Sequence, residues 1–162
     1  MPERPAPQPG LAASSFRPSS YLSFDYGTRR VGVATGNALL GVAQPLKTLS
    51  VEGDARFAAI AQLISQWQPS ALVVGVPFHP DGAAHDNTRR AQRFARQLHG
   101  RFRLPVHEVD ERYTTTEALA AGAADADAAA AALILEQFLR SVAAADSTPL
   151  SLAMQGPSHA AA

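Results

Sequence analysis

The sequence contains no cysteine, which removes disulfides, thiolate metal sites and cysteine nucleophiles together. Any metal must then sit on oxygen or imidazole ligands. Neither sign of charge is in excess: 14 basic residues balance 14 acidic ones, so no chain-wide field draws the protein to a polyanion. No uninterrupted apolar run approaches the roughly 18 residues of a membrane span, and Met1 to Ser20 lacks the apolar stretch of a secretory signal. A cytoplasmic protein with no membrane partner is the expectation. The five histidines, His79, His85, His99, His107 and His159, show no catalytic or zinc-binding spacing, which weakens a serine-histidine hydrolase reading.

What is present is unevenly distributed. Residues 1–20 carry five prolines and few large apolar groups, too little burial to offset ordering entropy, so a disordered leader is expected there. Residues 145–162, rich in small and polar types, read as a flexible tail. The folded unit is then 21–144, one domain of common size. Within it, the segment from Arg89 to Arg103 holds six arginines and no acid. Asp110, Glu111, Asp125 and Asp127 follow with no lysine among them.

The apolar pattern supplies the elements. Tyr21 to Tyr26 alternates, Gly27-Thr28-Arg29-Arg30 forms a turn, and Val31 to Ala34 resumes the alternation, which predicts a β-hairpin. A strand follows over Leu40 to Leu49, with Pro45 confining it to an edge or bulge. Phe57, Ile60, Ile64 and Trp67 recur at helical spacing from Asp54 to Trp67, and Pro69 ends that helix. Ala71 to Val76 is continuously apolar, as in a central parallel strand buried on both faces. Asp86 to His99 is a helix with Ala91, Phe94, Ala95 and Leu98 inward, and Val106 to Val109 is another strand. Thr114 and Glu117 form a capping box for a short helix. A last helix runs from Asp125 to Leu139, burying Leu135, Phe138 and Leu139. Strands first, then alternating helix and strand, give an α/β fold with a mixed sheet flanked by helices.

Three acids stand where elements end: Asp25, Glu111 and Asp127, with Asp110 as a secondary candidate. Each has a plain alternative. Asp25 suits a turn before Gly27. Asp127 or Asp125 can cap the last helix, worth about 0.5 to 2 kcal/mol. Asp110 or Glu111 can pair with Arg112 at the surface. Together they fit phosphodiester hydrolysis, in which two divalent cations roughly 3.5 to 4 Å apart activate water and stabilise the departing oxygen. Mg²⁺ or Mn²⁺, held by Asp25, Glu111 and Asp127, is the expected cofactor. Arg89, Arg93 and Arg96 share a helical face suited either to phosphate oxygens or to plain solvation. With Arg29, Arg30 and Arg112 they are the candidate nucleic-acid contacts.

The ordered motifs resemble the YqgF-type (RuvX) family of ribonuclease H-like nucleases. They are Phe24-Asp25-Tyr26-Gly27-Thr28-Arg29-Arg30-Val31-Gly32-Val33-Ala34, Val74-Gly75-Val76-Pro77 with Asp81-Gly82, Phe94-Ala95 with Leu98, Asp110-Glu111-Arg112-Tyr113-Thr114-Thr115, and Asp127 before Leu133-Ile134-Leu135-Glu136. The resemblance covers Leu22 to Leu139 and implies a ribonuclease H-like sheet with the family's acids on Asp25, Glu111 and Asp127. It implies processing of the 5′ end of pre-16S rRNA during ribosome biogenesis, with Holliday junction resolution as the alternative. Structured RNA, pre-ribosomal particles or branched DNA are the implied partners, and a monomer or weak homodimer the implied state. The nine residues Ala118 to Ala126 are shorter than the family's usual lysine- and glycine-bearing loop. Two rivals remain: a nucleic-acid-binding assembly factor without turnover, and an ATPase of the actin and sugar-kinase type. The latter shares the Asp25-Tyr26-Gly27-Thr28 turn but needs a second domain for which 21–144 leaves no room.

Overall fold

Alternation along the first strands decides the layering. In the computed structural model, which describes residues 19–79, 81–111 and 125–161, with side chains of the last helix up to Ala145, strand β1 spans Ser20–Asp25 and β2 spans Val31–Asn37. They pair antiparallel as the predicted hairpin, with Phe24 opposite Val33 and Asp25 opposite Gly32. Strand β3, Ala43–Leu49, pairs antiparallel with β2, while β4, Ala71–Val76, pairs parallel with β1 and β5, Val106–Asp110, pairs parallel with β4. The five strands lie in the order β3-β2-β1-β4-β5. This is the mixed sheet that the sequence implies.

Leu22, Phe24, Val31, Val33, Leu72, Val74 and Val76 project to one face and pack against helices α1, Gly53–Trp67, and α2, Asp86–Phe102. Phe24 and Phe94 meet edge to face at 5.9 Å in that core, and each buried side chain of this size contributes about 1.5 to 3 kcal/mol. The opposite parity, Tyr21, Ala34, Ala71 and Val73, faces helix α3, Ala126–Ala161. Alanine dominates the face that α3 buries: Ala128, Ala130, Ala131 and Ala132, ahead of Ile134, Leu135 and Leu139. Small residues let the helix lie close to the sheet. Its segment Ala126–Ala145 is long and apolar enough to cross a membrane by length and composition, but it packs on β1, β2 and β3 as a core helix.

Several expectations need correction. Leu40 is not in a strand: it sits in the β2–β3 turn, 70% exposed, and β3 begins at Ala43. Pro45 lies on that edge strand beside a register shift between Val33 and Ala34, the setting in which a sheet tolerates proline. In α1 the buried apolar positions are Phe57, Ile60 and Leu63, with Ile64 partly buried against the same core. Trp67, 39% exposed, belongs to the final turn, which closes on Gln68 in the left-handed conformation (φ 47°). Phe138 is only partly buried, edge-on to Tyr21 at 5.0 Å. Helix α2 buries Ala91, Phe94, Ala95 and Leu98 as predicted. It starts on His85, whose Nδ1 accepts the Asn87 N–H at 3.2 Å while Thr88 Oγ1 accepts the His85 N–H at 3.0 Å. The Thr114–Glu117 capping box lies outside the described residues.

Candidate active site

Asp25 is the last residue of β1, and its neighbours across the sheet are both glycines: Gly32 on β2 and Gly75 on β4. Alternation turns Asp25 toward α3, opposite to Phe24. A glycine inside a strand weakens it unless something must come close, and here something does. A Cβ on Gly32 would collide with the backbone carbonyl of Asp127. A Cβ on Gly75 would lie 2.9 Å from Glu111 Oε2 and collide with Ile134 Cδ1. The row Gly32, Asp25, Gly75 is therefore a hollow, entered from one side by the start of α3 and from the other by the Glu111 carboxylate.

Each incoming acid has its own support. Glu111 follows β5 directly, and its N–H donates to the Val76 carbonyl at 3.1 Å, extending the ladder by one bond. Asp127, in the first turn of α3, is held at Oδ2 by Arg30 Nε at 2.8 Å. Ser23, fully buried and on the same face as Asp25, donates its hydroxyl to the Ala131 carbonyl at 2.7 Å. That bond pins α3 over β1 and sets where Asp127 arrives.

Burial pushes the Asp25 carboxyl up to about 7, with the charge of Asp127 adding to it. Burial likewise pushes Glu111 up to about 8, with Asp25 and then Asp110 adding to it. Asp25 and Glu111 therefore share one electrostatic neighbourhood, in which burial and the adjoining acids oppose ionisation of these two carboxyls. Among the described residues no three acids or imidazoles stand close enough to form a closed chelate. The Asp110 backbone carbonyl accepts from Gln137 Nε2 at 3.1 Å, tying the end of β5 to α3.

The expected arginine stripe is divided. Arg89 pairs with Asp86 at 2.8 Å. Arg93 lines a cavity with Arg90 and Arg56, whereas Arg96 lines a separate groove with His99 and Glu108. Arg29 and Arg30 are exposed beside the hollow, where Gly27 and Thr28 join them and Asp127 in lining a shallow pocket. Arg112 lies outside the described residues. Sequence reasoning overlooked Ser23, Gly32, Gly75 and Arg56. The strand glycines and the serine between Leu22 and Phe24 were visible signals, because each breaks an apolar pattern.

A five-stranded sheet with two antiparallel and two parallel pairings, an acid at the end of its central strand and helices on both faces define a ribonuclease H-like protein. The solved structure "T. thermophilus RuvC in complex with Holliday junction substrate" shares this fold with a TM-score of 0.50 at 16% identity, over 76% of this chain and 94% of that one. A family model described as "RuvX: Holliday junction resolvase" matches residues 19–141, and the chain belongs to that family. A protein of Albidiferax ferrireducens is 68% identical over 123 residues, 76% of this chain and 79% of its own length. One of Burkholderia pseudomallei is 48% identical over 136 residues, 80% of this chain and 93% of its own length. Both carry the name "Putative pre-16S rRNA nuclease".

Proposed function

We propose that this chain is a divalent-metal-dependent nuclease that hydrolyses phosphodiester bonds, with the 5′ end of pre-16S rRNA as its substrate. The observation that carries the proposal is the hollow at Asp25, where burial first and neighbouring acids second raise two carboxyls to about 7 and about 8. The donors are all carboxylate oxygens, the set that Mg²⁺ or Mn²⁺ prefers. Asp25, Glu111 and Asp127 are the residues that would hold such ions. Such ions would supply an activated water and charge stabilisation at the phosphoryl group. Arg30 orients Asp127 through Nε, and the exposed Arg29 beside it is free to meet a phosphate oxygen.

The rRNA substrate is taken from the names of the relatives, and with it we propose action on pre-ribosomal particles in the cytoplasm, as a monomer or weak homodimer. Junction DNA is the second reading, favoured by the description of the family model. The test is cleavage of a 5′-extended 16S precursor RNA and of a four-way DNA junction with Mg²⁺ or Mn²⁺, beside Asp25→Asn. RNA cleavage lost in the variant supports the proposal. Equal cutting by both proteins refutes it, and cutting of the junction alone moves the substrate to DNA. Binding without metal-dependent cutting would leave a non-catalytic assembly factor.

A further inference from the structure

On the face of the sheet away from the acids, at the same end of β1, lies a cavity of about 460 Å³ bounded by the β1–β2 turn, the start of α1 and the middle of α2. Three arginines, Arg56, Arg90 and Arg93, line it. Arg56 is the unusual one, only 5% exposed. Its Nε donates to the Val51 carbonyl at 3.1 Å and its Nη2 to the Thr28 carbonyl at 3.0 Å, and its guanidinium carbon lies 5.7 Å from the centre of the Tyr26 ring. Carbonyls and a ring face occupy donors without cancelling the charge. No described carboxylate is within ion-pair distance of it, and a buried cation without a counter-ion is a costly arrangement that an anion relieves.

Arg90 and Arg93, one turn apart on α2, are exposed and equally without an ion-pair partner among the described residues. One acid, Glu52, stands on the wall, so three cations face one anion. The volume is that of a small-ligand pocket, and arginine forks match phosphate oxygens. Asp25 and Tyr26 are consecutive residues directed to opposite faces. A strand engaged at the acids would therefore reach this cavity by passing around Gly27 to Arg30, where Arg29 and Arg30 are exposed.

We infer that this cavity binds a phosphate group carried by a nucleotide of the substrate strand, an anchor separate from the acids. The identity of the strand rests on the nuclease reading; the need for an anion does not. The test uses the full chain without divalent metal. Arginine Nε–H signals are followed by NMR while inorganic phosphate, a 5′-mononucleotide or a single-stranded RNA oligonucleotide is added, and RNA affinity is measured by anisotropy over a range of salt. The Arg56 signal should shift saturably with all three probes, the oligonucleotide binding tightest. Arg90→Ala with Arg93→Ala should weaken RNA binding about tenfold or more and lower the log-log salt slope by about 0.7, the signature of one single-strand phosphate. Glu52→Gln should tighten binding, and Arg140→Ala, far along α3, should leave it unchanged.

An unmoved Arg56 signal, or unchanged RNA affinity in the double variant, overturns the inference. A mononucleotide binding as tightly as the oligonucleotide overturns the strand assignment in favour of a free nucleotide. Neither measurement involves cutting, so phosphate binding here in a protein that cleaves nothing would refute the nuclease reading alone. Cleavage without phosphate binding at Arg56 would refute only the anchor.

Discussion

Replacing Asp25 by Asn should end catalysis and at the same time make the metal-free protein more stable. Burial and Asp127 raise the folded-state pKa of Asp25 from 3.8 to about 7, so the folded protein binds that proton more tightly than the unfolded chain. Stability from this group is then complete below the unfolded value and is lost as pH rises toward about 7. At about pH 8 the folded protein carries the charge at a cost of up to about 4 kcal/mol, from roughly three units at 1.36 kcal/mol each. At about pH 5, just above the unfolded value, the same reckoning leaves about 1.5 kcal/mol. Asn keeps the shape of Asp, removes the charge and relieves one of the groups acting on Glu111. In EDTA at about pH 8 the variant should melt roughly 5 to 10 °C higher, allowing for relaxation that halves the ceiling. The gap should narrow steadily toward about pH 5. Mg²⁺ should raise the melting temperature of the wild type and do little for the variant. Thermal scans across pH with and without Mg²⁺ make the measurement. A variant that melts lower than the wild type at the alkaline end, or a gap that ignores pH, would refute the placing of a buried, uncompensated carboxylate at this position.

Gly75→Ala puts a methyl group 2.9 Å from Glu111 Oε2 and into Ile134 Cδ1; it should cost about 1 to 3 kcal/mol by denaturant titration and reduce cleavage far more than that loss explains. Gly32→Ala meets the Asp127 backbone, which cannot swing aside, and should give the lower yield and melting temperature of the two glycine variants. Ser23→Ala removes the bond to Ala131 and should cost about 1 kcal/mol, with a raised Mg²⁺ requirement in activity titrations as α3 loses its fixed position. Arg30→Ala breaks an exposed ion pair worth less than about 1 kcal/mol, so melting should hardly move while cleavage falls; unchanged cleavage would deny Arg30 its role in orienting Asp127.

Local chemistry made much of the fold legible. The continuous run Ala71 to Val76 signalled a strand covered on both faces, and Ala91, Phe94, Ala95 and Leu98 marked one side of α2 because their periodicity depends only on helix geometry. Trp67 and Leu40 misled because apolar spacing does not say which end of an element outruns the core. The acids could be named from the sequence, but their meeting depends on strand register: Asp25 lies beside Gly32 and Gly75 only because β1 pairs with β2 and β4 in that alignment. The arginine face divided for a similar reason. Arg89, Arg93 and Arg96 share a stripe on an isolated helix, yet α2 sits between two different neighbours, and Asp86 takes the first of them.

The glycines beside Asp25 also bear on how loss of activity would look across related chains. A chain could keep every carboxylate and still be silenced by one methyl group on either side of the first of them. Surveying acids alone would score such a chain as competent, so the better marker is two hydrogen atoms where any other residue would place carbon.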